Sequence, residues 1–383
     1  MKRTTLIIAA LGLFLFAQAA QADWTPAKRL AWTADRSEEP AIAVDPSGHL
    51  HVVWQDLTPG NYEIYYTRSA DGGATWTDSR RLSWTSGTSY NPSLAVDPSG
   101  NLYVAWMDTA PGNWEVYFKK STDGGTTWTP SSRLTWTFGN SEWVAIAADS
   151  PGNIHLAWQH NVGSNDEIHY RKSTDGGAAW TTSRRLTWTS GYSNMPAMAI
   201  DSSGHLHVVW WDDTPGNWEI YYKKSTDSGA TWSTSQRLTW NLSISQNPVI
   251  AVDSLGRLLV VWHDYASGTG EIYCKKSADG GAIWSANHRL TLTSSGSFDP
   301  AIAADSFGGL HVVWWHGPST SPEIFYNKST DGGTTWTSSQ RLTWTSGGSY
   351  DPAIAADSSG NLHVVWRDET PGNWEIYYKK FIK

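Results

Sequence analysis

From Leu50 to Gln55 the chain reads L-H-V-V-W-Q, with Leu50, Val52 and Trp54 alternating against His51 and Val53. Alternation at period two predicts a β-strand, and apolar side chains on both faces predict a strand covered on both sides. The run returns every 52 residues, ending at Trp54, Trp106, Trp158, Trp210, Trp262, Trp314 and Trp366. Around each copy four strands are expected. In the first unit they are P-A-I-A-V-D at 40–45, followed by the turn Pro46-Ser47-Gly48; His49 to Gln55; Glu63 to Arg68; and Thr75 to about Trp84. The first three are rich in β-branched and aromatic residues and are bounded by Gly, Pro, Asp or Ser. Two other positions keep the same register: Arg29, Arg81, Arg133, Arg185, Arg237, Arg289 and Arg341, and Glu63, Glu115, Glu167, Glu219, Glu271, Glu323 and Glu375.

Four short strands per unit at this period are the pattern of a propeller blade, which buries its faces only by stacking on neighbours around an axis. The expected fold is all-β: a seven-bladed β-propeller with four antiparallel strands per blade. Residues 24–32 read as the fourth strand of a unit whose first three lie within 352–380. The N-terminal strand is therefore expected to complete the last blade, leaving no open seam.

Composition changes this picture at one end. Lys2 and Arg3, the apolar run Leu6 to Phe16, and Ala20-Gln21-Ala22 before Asp23 read as a secretory signal over 1–22, with Ala17-Gln18-Ala19 as a second cut. The remainder, 23–383, is all repeat, with no stretch that would span a bilayer. It is expected to be exported to a secreted or periplasmic location as a soluble monomer. Cys274 is the sole cysteine, so no internal disulfide forms. A net charge of −8, more negative once Lys2 and Arg3 are gone, gives no general attraction for nucleic acid or anionic lipid.

Between the third and fourth strands stands S-T-D-G-G-T-T-W at 121–128, repeated at 329–336, with near-copies at 69–76, 173–180, 225–232 and 277–284. Gly124-Gly125 supplies positive φ for a hairpin turn, Asp123 can accept turn N–H bonds, and Trp128 can anchor the turn by buried area. The pattern S-x-D-x-G-x-x-W resembles the Asp-box, or BNR repeat, of the sialidase superfamily and of several non-catalytic propellers. The resemblance implies a structural turn at Asp71, Asp123, Asp175, Asp227, Asp279 and Asp331, on the face away from the active site.

In that family three arginines grip the substrate carboxylate, beside a Tyr nucleophile activated by a Glu and an Asp acid/base. The first Arg stands in an R-I-P motif on an innermost strand. Glu38 occupies that place here, and its equivalents are Tyr90, Glu142, Asn194, Gln246, Phe298 and Tyr350, none of them Arg. Arg36 and Arg367 break the repeat near the active-site face, whereas Arg257 falls in a turn on the opposite one. The resemblance is thus to the family without its arginine triad. A sialidase-like exo-glycosidase is the alternative to a non-catalytic binding or scaffold propeller, and a protein-assembly platform is a second.

Two sets of ligand-site candidates follow. The loop between strands two and three reads D-x-T-P-G-N-[WY]-E or close to it in four blades, pairing Asp56 with Tyr62, Asp108 with Trp114, Asp212 with Trp218 and Asp368 with Trp374. An acid, an amide and a ring are what a sugar site uses. The same residues also suit a bland reading, an Asp that holds the turn and a ring that packs on its neighbour. The second set lies just before the first strands, at the axial mouth, where Glu38, Tyr90, Glu142 and Tyr350 stand among residues that differ from blade to blade. The favoured ligand is glycan. His51, His155, His207, His311 and His363 recur in separate blades and are read as structural, with no metal and no cofactor expected.

Overall fold

The computed structural model describes residues 23–149, 152–161, 163, 165–318 and 320–383, so the expected leader lies outside the described residues. Seven antiparallel sheets form seven blades in chain order. In blade one the strands are Ser37–Val44, Leu50–Asp56, Glu63–Ser69 and Arg80–Arg81. Blade seven holds Ser349–Ala356, Leu362–Asp368 and Glu375–Ile382, and its outer edge is completed by Asp23–Trp24 and Lys28–Arg29. The N-terminal segment therefore closes the ring.

The second strand is buried along its whole length in blade one. Its two faces serve different neighbours. Val53 packs with Ile64, Tyr66 and Leu82 against Leu102, Val104 and Trp106 of blade two. Val52 and Trp54 turn the other way, onto Val365, Ile376 and Tyr378 of blade seven. Each interface between blades is thus a small core, and each repeated Trp lies inside one. Burying such an indole stabilises by about 4–6 kcal/mol as an upper bound.

The fourth strand is shorter than the sequence suggests. Thr75 to Ser79 are not strand; only Arg80–Arg81 pair, with Tyr66 and Tyr65. The turn and its anchoring Trp76 take up the preceding residues, and Thr77 N–H reaches Arg68 C=O at 2.9 Å as an isolated bond. Trp84, expected at the strand's end, lies 63 % exposed.

Polar residues copied in every blade serve the scaffold. Glu63 is fully buried, and its Oε1 accepts from Arg81 at 2.6 Å and from Thr85 N–H at 2.9 Å. All seven repeat arginines make this bond, from Arg29 to Glu375 at 2.5 Å through Arg341 to Glu323 at 2.5 Å. His51 Nδ1 lies 2.8 Å from Tyr66 Oη and its Nε2 3.4 Å from Asp45. Blade two exchanges the pair for Tyr103 and Phe118, and Tyr103 Oη donates straight to Asp97 at 2.8 Å. In blade five Leu259 and Cys274 replace both, and Arg257 bonds Asp253 instead. The acceptor is satisfied each time, as a buried carboxylate requires.

The Asp-box turns behave as turns. Asp123 Oδ1 accepts from Ser121 Oγ at 2.8 Å and from Thr127 N–H at 2.8 Å. Gly125 has φ +84°, and a Cβ there would meet Tyr66 Oη of the preceding blade at 1.8 Å. Trp128 packs edge-on against that same Tyr66, with centroids 5.2 Å apart. Each turn therefore locks one blade onto the last.

Candidate functional site

At the opposite end of the first strands the backbone does something unusual. Glu39, Asn91, Trp143, Met195, Asn247, Asp299 and Asp351 all have φ between 47° and 53°, beside a break in strand register. For an L-residue other than Asn or Asp this conformation costs roughly 1–2 kcal/mol. Because every blade has it, the strain belongs to the architecture. The seven residues line one axial cavity of about 590 Å³ together with the prolines that follow six of them. Their side chains differ, so the architecture fixes the place and leaves the chemistry open.

One side of this mouth is acidic. Asp299, Asp351 and Glu39 come from blades six, seven and one, which are neighbours. Arg367, on the second strand of blade seven, binds Asp351 Oδ2 at 2.5 Å and Glu38 Oε1 at 3.0 Å. Burial, reinforced by Asp351, pushes Glu39 well above the usual carboxylate range. Asp351 is raised too, by burial first, with Arg367 opposing and Asp299 adding to the rise. Of the two carboxyls Glu39 is the one that holds its proton more firmly, since Asp351 adds to its rise. Asp299 accepts from Asn247 Nδ2 at 2.6 Å and Trp315 Nε1 at 2.8 Å. His263, buried and held neutral by that burial, points Nδ1 at Asp299 from 3.8 Å.

Around the acids runs an aromatic arc. Trp114 meets Tyr90 at 5.6 Å, and Tyr90 meets Tyr62 at 4.7 Å. Tyr62 Oη donates to Glu38 at 2.8 Å, which raises the phenol's pKa along with burial. Across the Glu38–Arg367 bond the arc resumes: the guanidinium lies 5.4 Å from Tyr350 and 4.7 Å from Trp374. Tyr350 meets Trp315 at 5.2 Å, and Trp315 meets Phe298 at 4.6 Å. The arc thus passes from blade two through one and seven to six.

The loop and mouth candidates therefore divide differently from the sequence expectation. Tyr62, Trp114 and Trp374 join Glu38, Tyr90 and Tyr350 in one surface, and all three rings are half-buried. Trp218 stands apart, stacked on Trp211 at 4.2 Å in blade four. Glu142 is also apart, accepting from Gln159 at 3.3 Å, its pKa raised by burial and by Asp166. The loop acids face inward. Asp56, Asp108, Asp212 and Asp368 are buried, and their Oδ2 atoms accept Ser37, Ser89, Ser193 and Ser349 at 2.6–2.7 Å. Their Oδ1 atoms accept the N–H two residues on, at 2.7–2.9 Å. These four carboxylates hold the loop that presents the ring.

Sequence reasoning passed over His263, Trp211 and Trp315. A signal existed: each first-strand mouth residue pairs across the sheet with the residue after the repeated Trp, as in Glu38 with Gln55, Gln246 with His263, Phe298 with Trp315 and Tyr350 with Arg367. That second position varies as freely as the first.

These features define a seven-bladed β-propeller with Asp-box turns, similar to the sialidase-like propellers. The model of the BNR repeat-containing family matches residues 15–189. A sialidase of Bacteroides fragilis (strain YCH46) is 25 % identical over 276 residues, 60 % of this chain and 49 % of the relative. The chain thus spans about half the length of that curated relative. Among solved structures, an ulvan lyase of polysaccharide lyase family PL25 superposes with TM-score 0.65 at 10 % identity, covering 92 % of this chain and 95 % of the other. The NanB sialidase of Streptococcus pneumoniae gives TM-score 0.54 at 14 % identity, over 93 % and 70 % of the two chains. At these identities the structural likeness is one of fold.

Proposed function

We propose that the chain is an exported carbohydrate-binding propeller whose ligand seats at the axial mouth. The observation that carries this reading is the arc from Trp114 to Phe298, which sets flat ring faces beside Glu38, Asp299, Asp351 and Arg367. Rings take the C–H face of a sugar, and carboxylates take its hydroxyls. Because the Arg367 guanidinium is already occupied by two carboxylates, the mouth suits a neutral or amino sugar better than an acidic one.

The hydrolase reading has one observation in its favour, the Glu39–Asp351 pair with raised proton affinity. The pair stands against Arg367, which Asp351 and Glu38 already hold, and a binding role suits such a neutralised cluster. The similarity to a sialidase supports carbohydrate as the ligand class and leaves the reaction open.

A glycan array read beside hydrolysis of a generic sialoside tests the proposal. Retention of neutral or amino glycans that is lost in Tyr90→Ala and Trp374→Ala, with no hydrolysis, is the expected result. Sialoside turnover would replace the binding reading with the enzymatic one. Absence of any glycan signal would leave the assembly-platform reading in its place.

A further inference from the structure

Trp32, Trp84, Trp136, Trp188, Trp240 and Trp344 occupy one repeat position just beyond the fourth strands and are 63–76 % exposed. Scattered exposed rings need no explanation, but six at one structural position, just past the outermost strand of a blade, do. Each lies with the repeat arginine at its face, from 4.2 Å for Arg29 over Trp32 to 5.8 Å for Arg237 over Trp240.

One copy sits between blades one and two, a cavity of about 380 Å³ walled by Trp84, Trp128 and Pro130. Arg80, Arg81 and Lys119 stand in it, with no acidic residue in the lining. Arg81 is paired with Glu63, but among the described residues no carboxylate lies within ion-pair distance of Arg80 or Lys119. Lys119 is itself 6 % exposed and lines the cavity from beneath, its Nζ 5.1 Å from the Trp84 ring and donating to Leu82 C=O, so that Arg80 is the exposed cation of this junction. Blades three and four repeat the arrangement with Arg184, Trp188 and Lys223, whose Nζ donates to Leu186 C=O at 2.5 Å.

Ring and cation keep company around the wall. Trp136 has Arg171 bonded to Leu134 C=O, Trp240 has Lys275 at 5.2 Å, and Trp344 has Lys379 at 5.5 Å. Between blades five and six Leu292 replaces the ring, and Asn327 stands where the cation would be. Both are lost together. Only beside Trp32 is the ring kept without the cation, at Thr67.

We infer that the outer wall carries a second class of site, in which exposed Trp and unpaired cations at successive blade junctions bind an acidic polysaccharide. The ring stacks on a sugar face, and the neighbouring cations take its carboxylate or sulfate. The occupant is set by charge: the wall is locally cationic on a protein of net charge −8. Single junctions bind weakly, and a long chain spanning several gains by multivalency. This goes beyond the mouth, which is acidic and of opposite preference.

Affinity electrophoresis of the full chain through gels containing polygalacturonate, dextran sulfate or uncharged dextran tests it. Retardation is expected in both acidic polymers, weakening with salt and with shorter chains, and not in dextran. Trp84→Ala with Trp188→Ala keeps every charge and, the rings being exposed, the core; it should weaken retardation roughly tenfold by removing two junctions. Arg80→Gln with Arg184→Gln should do the same, whereas Leu292→Trp with Asn327→Lys should add a junction and strengthen it. Unchanged retardation of the tryptophan variant at unchanged melting temperature would reduce the effect to plain charge adsorption and overturn the site. Equal retardation in dextran, or none in any gel, would overturn it as well.

Discussion

The same seven first and second strands end in two very different places. At the Asp-box end the blades are near copies: Ser, Asp, Gly and Trp recur, and Tyr66, Tyr170, Tyr222 and Tyr378 hold the following turn. Even the exceptions there are compensated, as when Tyr103 and Phe118 together replace a His–Tyr pair. At the mouth the backbone is just as regular, seven residues at φ near +50°, yet the side chains range over Glu, Asn, Asp, Trp and Met. Copied residues answer a need that every blade has, the satisfaction of buried polar groups and the locking of neighbours. Residues that differ on an identical backbone are free of that need, and that freedom is what a single asymmetric ligand requires.

The largest effect should come from breaking the copied end at the seam. Deleting residues 23–32 removes Arg29, the ion-pair partner of buried Glu375, and leaves the edge of Glu375–Ile382 unpaired. Stranding that carboxylate alone costs about 3–5 kcal/mol. The truncated protein should lose its cooperative thermal transition or aggregate; a melt matching the intact chain would show that the seam carries no weight.

Acid should act next, and through the same end. Burial holds His51, His207, His311 and His363 down to about 4 against an ordinary value of 6.5. A lowered histidine pKa means that the unfolded chain binds the proton first. Its contribution to stability is complete above pH 6.5 and is lost as pH falls through about 4, by up to about 3 kcal/mol per histidine. The partner Asp45 is lowered, burial opposing and bonds from His49 and His51 outweighing it, so it adds in the same direction. Chemical denaturation from pH 8 to 4 should therefore show a steep loss only below pH 6.5. His311→Tyr with Tyr326→Phe, which copies blade two, should flatten that loss by one histidine's share.

How much of this was legible in the sequence follows the same division. Trp54 and its copies, Glu63 with Arg81, and the Asp-box were readable because repetition at 52 residues exposes whatever the scaffold needs. The fourth strand was overdrawn to Trp84 because its apolar ending looks like a buried strand; in the structure that ring stands on the outer wall. The mouth was legible as a place and not as a chemistry. Which acids converge depends on the register break after Glu38, which turns Glu39 toward Asp351, and no local pattern announces it. Asp56 misled for a related reason: a carboxylate beside an aromatic loop looks the same in sequence whether it faces a ligand or Ser37.

A smaller effect separates the ends directly. Asp123→Ala leaves the N–H of Thr127 to water alone and should lower stability slightly, read as a lower denaturation midpoint. Glycan retention at the mouth should not change, since the turn lies at the other end of the blade. A binding defect at full stability would mean that the two ends are coupled.

The smallest effect on stability is expected at the mouth, and its sign is informative. Glu39 is raised above its ordinary value, so the folded protein favours the protonated form. That contribution is present at low pH and is lost as pH rises through the raised value. Glu39→Gln keeps the shape and removes the ionisation. The variant should match the native protein near pH 5 and exceed its stability at pH 9. If Glu39 belongs to the ligand site, glycan retention will fall in this variant while the acid transition set by the histidines stays where it was. Retention unchanged at both pH values would confine the ligand to the aromatic arc and remove the carboxyl pair from the site.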